Sequence, residues 1–286
     1  MLGSIIGDVA GSYLEVLEVE AIKTTPEKKR SYESRIKILD KNTPLFNDKC
    51  SCTDDSNLTC AIADAVLNNE SYEKKLREYG LNDINKGLDK YGRSRYGKGF
   101  ISWLKGESEG VSYGNGSAMR IAPIGYLFND IETIKKEARL ATIPSHNNIE
   151  AIIGAESVAV TIYLARNNYS KDEIKQYIKK NYYDLDYNLE ELQKNYRFSS
   201  RCSNSVPQAL YCFLISNDFE DAIRKSLSIG GDTDTITCIT GGIAEAYYGI
   251  PEHLKEEVQD FIPDYMNEVL QKYYSKNTIK KLKKEL

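Results

Sequence analysis

Apolar residues recur at intervals of three and four along almost the whole chain, and that period leaves little room for anything but helices. From Leu58, the positions Ile62, Ala65 and Val66 follow at i+4, i+7 and i+8. Ile149, Ile152, Ile153, Val160, Ile162, Tyr163 and Leu164 outline a second, largely buried helix, and Ile236, Ile239, Ile243, Ala246 and Tyr247 a third. Alternating runs bounded by turn residues, the mark of half-buried strands, are scarce. The pattern predicts an all-α fold, a compact single-domain helical bundle over residues 1–286. Its expected helices are 5–16, 58–69, 72–79, 82–91, 131–142, 150–167, 171–180, 208–216, 219–228, 235–248, 252–261 and 266–286. No Pro/Gly/Ser-rich linker divides the chain, and 286 residues suffice for one large core.

Composition removes several function classes. With 38 basic and 42 acidic side chains the net charge is −4, which argues against a general nucleic-acid binder. No apolar run approaches the ~20 residues that span a bilayer, so no membrane association is expected. The opening Met-Leu-Gly-Ser-Ile-Ile-Gly-Asp carries no positive charge before its short apolar stretch, and Asp8 interrupts it, unlike a signal peptide. Six cysteines without a CxxC pair are too sparse for a disulfide scaffold, and reduced thiols imply a cytoplasmic protein. The only histidines are His146 and His253, so no paired-histidine zinc site can be built. His253, after Pro251-Glu252, reads as helix surface. Any metal must therefore take oxygen ligands, as Mg²⁺, Mn²⁺ or Ca²⁺ do. The six lysines from Lys272 onward, with one acid, read as a solvated helix end favoured by the helix dipole.

Three glycine-bearing loops, 91–99, 106–116 and 230–231, interrupt the helices, and loops of this kind often carry function. Two acidic clusters stand at helix starts: Thr53-Asp54-Asp55-Ser56 and Gly230-Gly231-Asp232-Thr233-Asp234-Thr235. Capping accounts for one such residue at each start. Each cluster, however, has two carboxylates and neighbouring hydroxyls, more than a cap uses. If the clusters met in space, four carboxylates would repel one another unless a cation stood between them. A hard dication takes six oxygens at about 2.1 Å, and two such ions can share bridging carboxylates. The DDxxD pattern of all-α terpenoid synthases is a poor match, because Asp54-Asp55-Ser-Asn-Leu lacks the later acid.

With Thr53-Asp54-Asp55 and Gly231-Asp232-Thr233-Asp234-Thr235, the chain resembles the ADP-ribosylglycohydrolase family, which includes dinitrogenase-reductase-activating glycohydrolase and the ADP-ribosyl-acceptor hydrolases. Further segments match in family order: Gly7-Asp8-Val-Ala-Gly11-Ser-Tyr-Leu-Glu15, Tyr96-Gly97-Lys-Gly99-Phe100, Ser112-Tyr113-Gly114-Asn115-Gly116-Ser-Ala-Met119-Arg120 and Ser145-His146. The resemblance implies an all-α bundle with a dinuclear metal cleft and hydrolysis of the N- or O-glycosidic bond at C1 of ADP-ribose. It implies that Thr53, Asp54, Asp55, Asp232, Asp234 and Thr235, with Glu15, hold two Mg²⁺, or Mn²⁺ in their place. Glu15 would also gate the substrate, and Asp54 or Asp234 would act as the base. Gly110, Val111, Ser112, Tyr113, Gly114, Asn115 and Gly116 would cradle the pyrophosphate through backbone N–H groups, alongside Gly97. Tyr113 and His146 would border the adenosine end. The implied partner is an ADP-ribose conjugate, an ADP-ribosylated protein first and a nucleic-acid conjugate second, met by a monomer. A non-catalytic ADP-ribose-binding relative is the alternative. The chain departs from the family pattern at Cys52 and at Ser56-Asn57-Leu58, outside the ligand set. Cys50 and Cys52 read as small packed residues rather than redox sensors.

Overall fold

The computed structural model describes residues 1–21 and 25–285, with the side chains of Thr25 and 276–285 outside the description. Its helices are α1 Leu2–Ala21, α2 Thr25–Lys37, α3 Asp54–Asn68, α4 Tyr72–Ile84, α5 Lys98–Leu104, α6 Gly116–Met119, α7 Ala122–Leu127 and α8 Ile131–Thr142. They continue as α9 Ile149–Arg166, α10 Lys171–Asn181, α11 Leu189–Asn195, α12 Val206–Leu214, α13 Phe219–Ile229, α14 Thr233–Tyr248, α15 Glu252–Glu257 and α16 Asp264–Glu285, with short 3₁₀ turns at Cys202–Asn204 and Val258–Phe261. Among the described residues, β pairing is limited to two isolated bridges, Val111 with His146 and Gly114 with Arg201. The chain is all-α, as its periodicity predicts. Most of the lysine-rich end lies outside the described side chains.

Two helices organise the interior. In α1, Gly3, Gly7 and Gly11 recur every fourth residue and face α14 so closely that backbones touch. A Cβ at Gly7 would lie 2.0 Å from the Thr237 carbonyl oxygen, and one at Gly11 would lie 2.4 Å from that of Thr233. Thr233 Oγ1 donates to the Gly11 carbonyl at 2.9 Å, locking the register. The apolar residues of both helices, among them Ile5, Ile6, Val9, Ile236 and Ile243, are buried in one core cluster with α3, α9, α12 and α13.

The expected helices 72–79 and 82–91 are one helix, α4, and the part expected over 85–91 does not form. α4 stops at Ile84, Gly87 takes φ +91°, and residues 89–93 fold around the Asp89 carboxylate, which accepts the N–H groups of Tyr91 (2.8 Å) and Arg93 (2.7 Å). Side-chain acceptors at Asp and Asn compete with the helical ladder, and apolar spacing does not report that competition. α2 shows the converse. Its sequence is almost wholly polar, yet Arg35 runs inward to pair with Glu18 of α1 at 2.8 Å and to donate to the Ser228 carbonyl at 3.1 Å.

Candidate active site

α3 and α14 begin side by side, and α1 passes beneath both starts. This brings the two acidic clusters, 180 residues apart, into one place: Thr235 Oγ1 lies 3.5 Å from Asp55 Oδ2, and Thr53 Oγ1 lies 3.4 Å from the same oxygen. Carboxylate oxygens of Asp8, Asp55 and Asp234 lie within 4.8 Å of one another, and so do those of Glu15, Asp232 and Asp234. Asp234 belongs to both groups. Glu15, Asp55, Asp232 and Asp234 line a cleft of about 450 Å³ whose walls also include Thr53, Asp54, Gly97, Phe100, Ser112, Asn115, Arg120 and His146, while Asp8 lies buried outside its wall.

Capping explains only part of this arrangement. Thr53 does cap α3, accepting the Asp55 N–H at 3.2 Å. Asp232 occupies the cap position of α14 but caps nothing; its carboxylate turns to the cleft and accepts from Asn115 Nδ2 at 2.8 Å. Gly231 precedes it at φ +80°, against Tyr196, where a Cβ would lie 2.3 Å from a ring carbon. Only glycine permits that turn and that approach.

Electrostatically the cluster is frustrated when no cation is present. Burial, and then the neighbouring Asp8, holds Asp54 and Asp55 well above the carboxylate range. Burial followed by Glu15 and Asp232 does the same to Asp234. Asp232 and Asp8 are also raised by burial, against the hydrogen bonds that each accepts. Burial and Asp232 push Glu15 up to about 7 despite its ion pair with Arg93 at 3.1 Å. Asp55 Oδ1 is buried without a hydrogen-bond partner. An orphaned carboxylate oxygen amid like charges, in an all-oxygen donor set, fits a hard divalent cation.

The other predicted residues divide. Ser112, Gly114, Asn115, Gly116, Gly97 and His146 line the cleft, whereas Gly110, Val111 and Tyr113 are not part of its wall. Gly110 (φ +71°) is wedged against Pro144 and Trp103, Val111 is exposed, and the Tyr113 ring lies under Arg201 at 4.7 Å. Two N–H groups of the expected cradle are already committed, Gly114 to Ser112 Oγ at 3.0 Å and Asn115 to the Ser200 carbonyl at 2.8 Å. Burial raises the thiols of Cys50 and Cys52, which suits packed rather than reactive groups. Sequence reasoning missed Asp8 as a site residue, although a single acid within the apolar run of α1 was a visible signal. It also missed Arg93, which carries no motif.

A family model described as ADP-ribosylglycohydrolase matches residues 1–282. The chain belongs to the ADP-ribosylglycohydrolase family. It is 25% identical to the human ADP-ribosylhydrolase ARH3, across 95% of this chain and 93% of that protein. It is also 25% identical to an uncharacterized protein of Archaeoglobus fulgidus, over 96% and 94% of the two chains. Identity to the ADP-ribosylarginine hydrolase Tri1 of Pseudomonas putida is 22%, over 87% and 70%. A solved structure titled "ADP-ribosylglycohydrolase-related protein complex" superposes with a TM-score of 0.66 over 96% of this chain and 95% of its own, at 18% identity. That likeness concerns the fold, and the family's helical architecture agrees with the one described above.

Proposed function

We propose that the protein hydrolyses the glycosidic bond between ADP-ribose and a modified acceptor, with two Mg²⁺ ions in the acidic cleft and a protein side chain as the acceptor. The observation that carries this reading is the meeting of two acidic helix starts around a shared Asp234, with Asp55 Oδ1 unpartnered beside it. Asp55 and Asp234, backed by Asp8, would hold one ion and Glu15, Asp232 and Asp234 the other, with Thr53 and Thr235 adding hydroxyl ligands. Bound dications would supply Lewis acidity and lower the pKa of the attacking water.

The chain's own residues would do the rest. Asp54 and Asp89 line the cleft outside both oxygen sets; Asp89 is engaged by the N–H groups of Tyr91 and Arg93, so Asp54 would orient the water and take its proton. Asn115 steadies Asp232 through its 2.8 Å bond. Ser112, Gly116 and His146 would hold the diphosphate side, with Gly114 leaving room beside them and Phe100 as an apolar wall. Among the described residues no helix is long and apolar enough to cross a membrane. All six cysteines are free, which suits a reducing cytoplasm.

Asp234→Ala tests the reading. It should retain the wild-type circular dichroism spectrum, abolish the stronger Mg²⁺ binding seen by calorimetry, and lower turnover of serine- or arginine-linked ADP-ribosyl peptides by roughly 10³-fold or more. Full activity in this variant would refute the assignment.

A further inference from the structure

We propose that Arg120 is a positioning residue which, through Ser145, holds His146 as the Nε2–H tautomer, a hydrogen-bond donor aimed into the cleft at the bend Gly114–Gly116. Arg120 follows α6 and is wholly buried. Its Nη2 donates to the Ala141 carbonyl at 3.2 Å and to Ser145 Oγ at 2.8 Å. A guanidinium only donates, so Ser145 Oγ is the acceptor of that bond. The remaining Ser145 proton needs an acceptor, and His146 Nδ1 lies 2.8 Å away. Among the described residues Ser145 Oγ has no other partner. Were Nδ1 the donor instead, Ser145 Oγ would accept twice and leave its own proton buried and unsatisfied, since Ser145 is 2% exposed. The relay therefore runs from Arg120 to Ser145 to Nδ1, and the imidazole proton sits on Nε2.

That proton has somewhere to go. Nε2 lies 3.1 Å from where a Cβ at residue 116 would stand and 3.7 Å from one at residue 114, and both residues are glycine. His146 lines the cleft, with Phe100 6.3 Å from its ring. Nε2 has no hydrogen-bond partner among the described residues. An N–H fixed between two glycines, with the Asn115 side chain turned away to Asp232, suits an oxygen acceptor such as a phosphate oxygen. That choice of ligand rests on the functional reading above; the tautomer does not. Arg120 Nε and Nη1 are buried without partners, and its guanidinium lies 6.0 Å from the centre of the Phe100 ring. A buried charge left partly unsatisfied is costly to retain for packing alone.

With two histidines in the chain, long-range ¹H–¹⁵N correlation of the ¹⁵N-labelled protein gives two imidazole patterns, and His253→Gln identifies that of His146. The expected spectrum has a pyrrole-type Nε2 and a pyridine-type Nδ1; the reverse pattern in the wild type overturns the proposal. In Ser145→Ala the two tautomers should interconvert, and ADP-ribose affinity in the presence of Mg²⁺ should fall about five- to tenfold. An unchanged Nε2–H pattern in that variant would show that the relay does not set the tautomer. Arg120→Met should give the same mixed pattern, and a pure Nε2–H pattern there removes Arg120 from the relay; if that variant does not fold, the wild-type and Ser145→Ala spectra decide. Added ADP-ribose should move the Nε2 cross-peak. Binding without such movement rules out the donor role, whereas no ADP-ribose binding at all counts against the functional reading and leaves the tautomer result intact.

Discussion

Asp8 ties the beginning of α3 to α1. Its carboxylate accepts the backbone N–H of Thr53 at 2.9 Å and of Ser56 at 3.1 Å, together with the hydroxyls of Thr53 (2.6 Å) and Ser56. Four donors use most of what a carboxylate offers, so Asp8 supports the neighbouring Asp55 and Thr53 more than it reaches outward. Asn in its place has one acceptor oxygen and turns an NH₂ towards donors. At least one buried donor then loses its acceptor, at a cost of roughly 1–3 kcal/mol. Outer supports of metal ligands typically matter 10- to 100-fold in affinity. Asp8→Asn should therefore lower the urea midpoint and weaken Mg²⁺ binding by about that factor, measured by denaturation and calorimetry. Wild-type values in both would make Asp8 a bystander. Thr53, Asp55, Asp232 and Asp234 were legible in sequence because two hydroxy-acid clusters exceed what capping needs. Asp8 was not, because its partners are backbone groups that only the folded chain supplies.

The seam between α1 and α14 sets the spacing of the site, because α1 carries Asp8 and Glu15 while α14 carries Asp234. At Gly7 an added methyl would meet the Thr237 carbonyl oxygen at 2.0 Å and its carbon at 2.4 Å, and backbone cannot swing aside as a side chain can. Gly7→Ala gains about 1 kcal/mol in helix propensity, but prising two buried helices apart costs about 1–3 kcal/mol or more. We expect a lower urea midpoint at unchanged slope, together with weaker Mg²⁺ binding as the carboxylates separate. Gly99→Ala is the control: it is also helical but has nothing within 4 Å of its Cβ, so it should be neutral or slightly stabilising in the same unfolding assay. Equal losses in both variants would contradict the seam argument. Long amphipathic or all-apolar helices such as α3, α9 and α14 were readable from period alone. The polar α2 and the loop after α4 were not, because a buried Arg35–Glu18 pair fixes one and the Asp89 carboxylate folds the other.

For the whole molecule, the acidic cluster makes stability depend on pH in a direction opposite to that of salt-bridged surface acids. A carboxyl whose folded-state pKa lies above its unfolded value contributes stability that is fully present below the unfolded value. That contribution disappears as pH rises through the folded value. Glu15, pushed up to about 7, and the raised Asp8, Asp54, Asp55, Asp232 and Asp234 all have this sign. The metal-free protein should therefore become less stable as pH rises from 5 to 8, because each lost proton adds a buried charge to the cluster. Cation binding reverses the preference, since it needs the ionised carboxylates and displaces their protons. At a hundredfold excess over Kd, binding to the folded state alone adds about 2.7 kcal/mol per site. In a chain of this size that is roughly 5–10 °C in Tm. Thermal melts in EDTA and in Mg²⁺ should coincide near pH 5 and diverge by about that amount at pH 8. Curves that coincide across the whole range would mean that the cluster titrates without a cation and that its acids serve the helix starts alone.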